Sequence, residues 1–131
     1  MTVMDIRGIG IDVVEVQRIE QALARWGDSF VSRIFTPDED ERARHPRARS
    51  MRLAARFAAK EAVMKALGLG WRTMAWREIE IRNDSLGRPS VVLRGGAARA
   101  AAQRGVGSIH VTLSHTHGLA LASALALGAP A

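Results

Sequence analysis

The 131-residue sequence contains no cysteine, which excludes disulfide bonds, thiolate metal sites and a cysteine nucleophile. It has no tyrosine and only three phenylalanines and three tryptophans, so the interleaved aromatic side chains that stack on single-stranded bases are scarce. No stretch approaches the roughly 18 consecutive apolar residues of a membrane-spanning helix. The first residues, MTVMDIRG, carry both acid and base and have no apolar signal core, so we expect a cytoplasmic protein.

The residues that are present suit a folded globular chain. Hydrophobic residues make up 47% and charged residues 24%, and the length predicts a single domain over residues 1–131. Nineteen lysines and arginines against 13 acids give a net charge of +6. This excess indicates an anionic partner, and nucleic acid, a phosphorylated small molecule, an anionic membrane surface or an acidic protein would each satisfy it.

Hydrophobic periodicity predicts an α+β fold with antiparallel strands. An Ile/Val run with glycines at 7–14 predicts a short buried strand, and 15–26 predicts an amphipathic helix whose apolar face carries Val16, Ile19, Leu23 and Trp26. The other expected elements are a helix starting at Thr36 and ending before Pro46, a helix over 48–67 that ends at Gly68, strands over 76–82 and 90–94, a helix over 96–104, and strands over 109–114 and 119–127. Alanine favours helix in the last segment, but alternation and the preceding turn favour a strand.

The stretch RFAAKEAVMKALG at 56–68 is the most informative one. Lys60 projects into the apolar stripe of the predicted helix, Glu61 lies on the shoulder of that stripe, and Lys65 follows Glu61 by four residues. The opposite side is mostly alanine, so the helix is predicted to be enclosed and its charges need partners. An ordinary Glu61–Lys65 surface pair, worth about 0.3–0.5 kcal/mol, is the alternative explanation.

Asp12 interrupts the first apolar strand and is the second carboxylate of interest. An ionised acid among Ile, Val and Gly is costly unless it is paired, so it caps a helix, pairs with an arginine or binds a cation. Mg²⁺ is usually held by one or two carboxylates together with water and phosphate oxygens. Glu61 is the obvious second ligand for such a site.

The other candidate residues leave more than one interpretation open. Six arginines and one lysine lie between positions 42 and 60 without a single acid, which indicates either a solvated basic face or phosphate binding next to the candidate metal site. His110, His115 and His117 offer a possible zinc site, which the lack of a nearby acid disfavours.

Three segments share a pattern with a known family: GIGIDVVEVQRIE at 8–20, RFAAKEAVMKALG at 56–68 and HVTLSHTHGLALASA at 110–124. Together they resemble the signature regions of the bacterial holo-acyl-carrier-protein synthases, which are small 4'-phosphopantetheinyl transferases. The resemblance spans nearly the whole chain, and its first two motifs are specific in combination. It implies the 4'-phosphopantetheinyl transferase fold, in which antiparallel strands surround a long central helix.

The resemblance implies an enzyme that moves the phosphopantetheine arm of coenzyme A to a serine of apo-acyl carrier protein and releases adenosine 3',5'-bisphosphate. It implies Mg²⁺ as the cofactor, with Asp12 and Glu61 as the metal ligands. Glu61 is also the expected base for the serine hydroxyl, either directly or through a metal-bound water, and Lys65 is expected near the transferring or departing phosphate. The implied coenzyme-binding positions are Arg56, Lys60, Lys65, Gly68 and His115.

The resemblance also concerns partners. It implies that the first helix docks the acidic carrier protein, with Arg18 and Arg25 as docking residues. The family usually forms trimers with active sites between subunits, which would explain the apolar surface around the helix over 48–67. We therefore expect a homotrimer and neither a membrane nor a nucleic-acid partner. Two departures, the arginine-rich segment 42–52 and WRTMAW at 71–76, leave the 3'-phosphate contacts and the carrier preference open.

A second hypothesis belongs to a different class: a small basic nucleic-acid-binding module that uses the arginines between positions 42 and 56. Deleting Asp12 or Glu61 separates the two hypotheses. A transferase would lose activity, whereas a surface that binds phosphates would gain affinity when an acid is removed.

Overall fold

The computed structural model describes residues 5–70 and 74–130. In chain order the elements are β1 (Ile6–Glu15), α1 (Val16–Trp26), α2 (Asp28–Ile34), α3 (Pro37–Ala43), α4 (Arg49–Leu67), a short 3₁₀ helix (Trp76–Glu78), β2 (Ile79–Asn83), β3 (Pro89–Leu93), α5 (Gly95–Gln103), β4 (Val106–His115) and β5 (Leu119–Gly128). The tryptophan-containing segment singled out above begins at residues 71–73, which lie outside the described residues.

Two antiparallel sheets and the long helix α4 form the fold. The larger sheet has the strand order β1-β5-β4, and β2 pairs with β3 in a hairpin. Helix α4 lies on one face of the larger sheet, where a Cβ atom at Gly8 or Gly10 would meet the carbonyl oxygen of Ala66 or Ala62 at less than 2 Å. The two glycines therefore let the backbone of β1 approach α4 closely, and this contact brings Asp12 next to the helix.

Local sequence signals set most of the helix ends as predicted. Thr36 caps α3 in a capping box with Glu39, and Gly68 ends α4 with a φ of 67°, a left-handed conformation that glycine adopts readily. The ambiguous segment after position 118 is a strand. Its alternate alanines are all buried against α4, so alternation outweighs helix propensity here: Ala120, Ala122, Ala124 and Ala126.

The prediction of a buried strand over 7–14 is wrong for half of its side chains. Gly10, Asp12 and Val14 face α4, whereas Ile9, Ile11 and Val13 point away from it. These three side chains are 68%, 56% and 53% exposed, and Leu121 of β5 lies beside Val13 on the same face. The larger sheet thus has one face under α4 and one apolar face that this chain leaves uncovered.

The helix over 48–67 is enclosed as predicted, but its apolar surface does not need a trimer to explain it. The chain covers α4 by itself, with β1, β5 and β4 on one side and α1, α3 and β2 on the others. Leu53, Ala54 and Val63 are fully buried in this way. The uncovered apolar surface belongs to the sheet and not to the helix.

Two local predictions need correction, and one helix was missed. The expected strand over 76–82 begins only at Ile79, because Glu78 accepts hydrogen bonds from the backbone of Ala75 and Gly96 and holds a 3₁₀ turn. Helix α2 was not predicted. Trp26 is 55% exposed instead of packing on the apolar face of α1, and it lies under the Arg25 guanidinium at 4.9 Å.

Within the described residues, no helix is long and apolar enough to cross a membrane.

Candidate active site

Asp12 and Glu61 come from distant parts of the chain and line one cavity. Asp12 lies on β1 and Glu61 on α4, and the cavity of about 340 Å³ between them and α1 is also lined by Arg18, Phe30 and Phe57. The Asp12 side chain is only 15% exposed. The predicted convergence of the two carboxylates is therefore present in the fold.

The carboxylate of Glu61 lies in an unfavourable environment for a negative charge. Burial raises the pKa of Glu61 above its ordinary value, the nearby Asp12 raises it further, and Lys65 lowers it. Among the described residues Glu61 has no hydrogen-bond partner, so only charge and solvent compensate it. A site of this kind gains stability from a bound cation.

Lys65 turns toward β1. Its Nζ atom donates to the carbonyl oxygen of Ile11 at 2.9 Å and to Oδ1 of Asp12 at 3.2 Å, while the side chain stays half exposed. A simple Glu61–Lys65 surface pair therefore does not describe this lysine. It supplies one positive charge to a pair of carboxylates that carries two negative charges.

Aromatic side chains form the apolar wall of the cavity. Phe57 stacks on Trp76 with ring centroids 4.8 Å apart, and Phe30 packs edge-to-face on Phe35 at 6.1 Å. Phe30 was not among the residues predicted from the sequence, because no helix was predicted over 28–34. The spacing of Phe30 and Ile34, four residues apart, was the available signal.

The donor set fits a hard divalent cation that shares its coordination with a ligand. Two carboxylates are typical of Mg²⁺ sites, whose remaining positions are filled by water and phosphate oxygens. The described residues contain no group of three or more His, Cys, Asp or Glu side chains placed to hold a metal by themselves. The zinc site considered for the three histidines is therefore absent from the described part of the chain.

Comparisons with known proteins identify the family. Residues 8–122 match the sequence model of ACPS, described as the 4'-phosphopantetheinyl transferase superfamily. A holo-[acyl-carrier-protein] synthase of Desulforudis audaxviator is 48% identical over 123 residues, which cover 94% of each chain. The chain belongs to the 4'-phosphopantetheinyl transferase superfamily. It is an enzyme, and the reaction class of its family is the transfer of a phosphopantetheine group.

Solved structures confirm the α+β fold of this transferase. The holo-ACP-synthase from Plasmodium yoelii has a TM-score of 0.85 at 32% identity, and the match covers 97% of this chain and 98% of that one. A holo-(acyl-carrier-protein) synthase from Bacillus anthracis, solved in complex with CoA, has a TM-score of 0.78 at 33% identity and covers 97% of this chain and 100% of that one.

Two of the expected coenzyme contacts of the transferase do not line the carboxylate cavity. Arg56 is five residues before Glu61, so the two side chains point about 140° apart on α4, and Arg56 bonds to Asn83 at the end of β2. His115 ends β4, at the edge of the sheet opposite β1. Gly68 lies at the C-terminal end of α4, three residues after Lys65.

Lys60 lines none of the cavities described for residues 5–70 and 74–130 of the transferase. Its side chain is completely buried, and its Nζ atom lies 2.7 Å from Oε1 of Glu39. It also donates to the carbonyl oxygens of Trp76 and Ile79, so all three ammonium protons have partners within the protein. The expectation that Lys60 contacts the coenzyme is therefore not compatible with this burial, because no donor is left for a ligand.

The two predicted docking arginines of the transferase are both exposed on α1. They are seven residues apart and so share one face of the helix. Arg18 reaches the wall of the carboxylate cavity, while Arg25 covers the ring of Trp26 at the far end of the helix.

Proposed function

We propose that the protein transfers the 4'-phosphopantetheine group from coenzyme A to a serine of apo-acyl carrier protein, depends on Mg²⁺ and releases adenosine 3',5'-bisphosphate. The observation that carries the proposal is the convergence of Asp12 and Glu61 in one cavity with Lys65 beside them. The two carboxylates suit a hard cation, and the lysine beside them suits an anionic phosphate of a substrate. The printed names of the relatives, and the CoA bound to the Bacillus anthracis protein, support the choice of substrates.

Asp12 and Glu61 would hold the cation. When bound, Mg²⁺ would neutralise charge on the diphosphate of the coenzyme as its phosphorus–oxygen bond breaks. The unfavourable charge of Glu61, which lacks a hydrogen-bond partner in residues 5–70 and 74–130, supports this assignment.

The protein's own groups have two tasks in the reaction. Glu61 accepts the proton of the serine hydroxyl, whose oxygen then attacks the phosphorus that carries the pantetheine arm. The bond from that phosphorus to the bridging oxygen breaks, and the oxygen leaves with adenosine 3',5'-bisphosphate. Lys65, half exposed at the edge of the carboxylate pair, neutralises or protonates the departing phosphate.

The complete site would lie between copies of the chain in a homotrimer. Two of the coenzyme-binding candidates lie far apart in one chain: Lys65 contacts β1, whereas His115 ends β4 at the other edge of the larger sheet. One chain presents Lys65 and His115 at opposite edges of this sheet, whereas two neighbouring copies could bring them together. The uncovered apolar face with Ile9, Ile11 and Val13 supports association, because exposed apolar patches usually mark interaction sites.

Helix α1 would dock the carrier protein. Arg18 and Arg25 are exposed on one face of α1, and Arg18 borders the carboxylate cavity, so a carrier bound there would have its serine near Glu61. The net charge of +6 favours an acidic partner and would speed its association at low salt. A cytoplasmic location remains a prediction.

The test is a transfer assay followed by mass spectrometry. The protein is incubated with coenzyme A, Mg²⁺ and a panel of apo-acyl carrier proteins from fatty-acid and polyketide synthesis, and each carrier is weighed. We expect one carrier to gain the mass of one phosphopantetheine arm, and EDTA to stop the reaction until Mg²⁺ is restored.

The controls separate the parts of the proposal. A carrier whose acceptor serine is replaced by alanine must stay unmodified, and light scattering must give the mass of three chains. Full transfer in the presence of EDTA would contradict the proposed dependence on Mg²⁺. Absence of transfer to every carrier, together with salt-dependent binding of DNA or RNA, would favour the nucleic-acid-binding module instead.

A further inference from the structure

Lys65 is bonded to one of the two carboxylates that a cation would use. Its Nζ atom lies 3.2 Å from Oδ1 of Asp12 and donates to the carbonyl oxygen of Ile11 at 2.9 Å, so its ammonium group links α4 to β1. Its charge also reaches Glu61, whose pKa it lowers. An ammonium group in contact with a carboxylate oxygen repels a divalent cation and occupies a lone pair that the cation would bind. Lys65 therefore competes with a cation for Asp12.

The contact between Lys65 and Asp12 can be exchanged because the lysine is only half buried. The side chain of Lys65 is 52% exposed, whereas that of Asp12 is 15% exposed. Ion pairs of exposed lysines contribute little to stability, and the four-carbon stem of a lysine is flexible. Lys60, on the same helix, is the opposite case, because it is completely buried and bonded to Glu39 and to two backbone carbonyl oxygens. Of these two lysines, only Lys65 is free to change its partner.

An anionic oxygen near the carboxylates would offer Lys65 such a partner. Lys65 follows Glu61 by four residues and so lies one turn further along the same face of α4. A lysine that leaves Asp12 therefore stays beside the cavity in which the diphosphate is proposed to bind. Ammonium groups form charge-assisted hydrogen bonds with phosphate oxygens as well as with carboxylates. The charge that opposes a cation alone thus favours a cation that binds together with a diphosphate.

Arg18 also brings a positive charge to this cavity, but it does not contact the carboxylates. It lines the cavity from α1. In the part of the chain that the structure describes, it forms no hydrogen bond or ion pair with Asp12 or Glu61. Arg18 therefore acts on a bound cation only through its electric field, which salt weakens, whereas Lys65 occupies a ligand of the cation.

We propose that Lys65 couples the binding of the divalent cation to that of the coenzyme: it opposes a cation that binds alone by pairing with Asp12, and it favours the cation and the coenzyme together by pairing with a phosphate. The inference rests on the proposed function, because it takes the carboxylate cavity as the site of both ligands. It predicts positive cooperativity between them, which is reciprocal by thermodynamic linkage. The site would therefore resist cations that arrive without the coenzyme.

The test measures the affinity for Mn²⁺, used as a probe for Mg²⁺, from the electron paramagnetic resonance signal of the free ion. The wild type and Lys65→Met, which keeps the length of the side chain but removes its charge, are each titrated without and with saturating coenzyme A. Without coenzyme A, we expect Lys65→Met to bind Mn²⁺ about threefold to fivefold more tightly, the scale of an exposed ion pair. With coenzyme A this advantage should disappear, so that the cooperativity is weaker in the variant than in the wild type.

Arg18→Ala is the matched control, because it removes a charge from the cavity without removing a contact of Asp12. Its affinity for Mn²⁺ without coenzyme A should change less than that of Lys65→Met, and its cooperativity should equal that of the wild type. Asp12→Ala must lose the bound Mn²⁺, which shows that the ion measured is the one in the cavity. A titration of coenzyme A without protein corrects for Mn²⁺ bound to the free coenzyme.

A second measurement follows Lys65 without any substitution. The sequence contains only two lysines, Lys60 and Lys65, so protein made with carbon-13 lysine gives two sets of side-chain NMR signals. The Cε signal of Lys65 should shift when Mg²⁺ is added, because the ammonium group leaves Asp12. Lys60 is the internal reference, since its buried ion pair with Glu39 should not respond.

Three results would overturn the inference: equal Mn²⁺ affinities of the wild type and Lys65→Met without coenzyme A, unchanged cooperativity in Lys65→Met, or a Lys65 signal that does not shift with Mg²⁺. The last measurement remains decisive if Lys65→Met fails to fold. Failure of the proposed function has a different outcome, because the wild type itself would then neither bind coenzyme A nor modify a carrier.

Discussion

Two clusters of acidic side chains flank α4, and they differ in how completely the protein satisfies them. The buried cluster contains Glu39, Glu80 and Lys60, and the cavity cluster contains Asp12, Glu61 and Lys65. Each has two carboxylates and one lysine of α4. Their different bonding separates a structural role from a binding role.

In the buried cluster, both carboxylates have hydrogen-bond and ion-pair partners within the protein. Glu39 accepts from Lys60, from the backbone of Thr36 at 2.9 Å and from the backbone of Ile81 at 3.0 Å. Glu80 accepts from the Thr36 hydroxyl, with Arg94 and Arg82 at 3.2 and 3.4 Å. These bonds join α3, α4 and the β2–β3 hairpin, and they leave no coordination position for a ligand.

In the cavity cluster, the carboxylates have few partners among the described residues. Asp12 has one lysine at 3.2 Å, and Glu61 has no hydrogen bond within the described ranges. Burial and the nearby Asp12 raise the pKa of Glu61. Glu39, in contrast, accepts hydrogen bonds from two backbone N–H groups and pairs with Lys60. A candidate site is therefore indicated by carboxylates that lack hydrogen-bond partners inside a cavity, and not by charged residues alone.

Replacing Lys60 should cost the most stability. Lys60→Ala leaves Glu39 buried without its cation, which typically costs about 3–5 kcal/mol, a large part of the free energy of unfolding of a small domain. The measurement is urea unfolding followed by circular dichroism. Lys65→Ala is the matched control on the same helix and should cost less than about 1 kcal/mol, because its ion pair is half exposed. Equal losses for the two lysines would contradict the comparison.

Replacing either cavity carboxylate should abolish most of the transfer without unfolding the protein. For Asp12→Ala and Glu61→Ala we expect the rate to fall by at least about a hundredfold, since charge compensation at a diphosphate is worth several kcal/mol. The carrier assay above measures the rate, and circular dichroism checks the fold. Wild-type transfer rates in both variants would contradict a mechanism that depends on the two carboxylates.

The titration of Glu61 should respond to Asp12. Because the pKa of Glu61 is raised, its carboxylate forms at a higher pH than that of an ordinary glutamate, and transfer should fall as the pH drops through this raised value. Carbon-13 NMR of the glutamate carboxyls in EDTA measures the titration directly. Asp12→Asn removes the neighbouring charge and should lower the pKa of Glu61, while a pKa that stays unchanged would mean that the two groups do not interact.

The same substitution should have opposite effects in the two clusters. Glu61→Gln removes a charge that folding disfavours, so without metal at neutral pH the Tm should rise by a few degrees. The sign follows from linkage: a carboxyl whose pKa is raised in the folded state costs stability when it is ionised. Glu39→Gln leaves Lys60 buried without its counter-charge and should lower the Tm. Calorimetry that gave the same sign for both variants would contradict the distinction.

Local signals in the sequence predicted much of the fold because they act over a few residues. The capping box at Thr36, the glycine at position 68 and the alternation after position 118 each depend on neighbours in the chain. The segment 28–34 lacked such signals at its ends, since the residue that caps α2 is Gly27 and no side chain caps it. Helix α2, and Phe30 with it, therefore went unnoticed.

The candidate site was predicted less evenly than the fold. The convergence of Asp12 and Glu61 followed from charge placed among apolar residues together with the family motifs. The structural role of Lys60 could not be predicted from the sequence, because its partners, Glu39 and the carbonyl of Ile79, lie far away in the chain on other elements. A helical wheel shows that a lysine points inward, but not whether a buried acid or a ligand meets it there.

The sequence by itself determined the helix ends, the positive charge, the family motifs and the residue types available for a metal site, since these are properties of composition and short segments. Only the tertiary structure decided that Lys65 joins Asp12 while Lys60 is enclosed, that Arg56 faces Asn83, and that Ile9, Ile11 and Val13 lie uncovered. The physical reason is that burial and charge pairing depend on which elements pack together, and packing is a sum over contacts between residues that the chain separates widely.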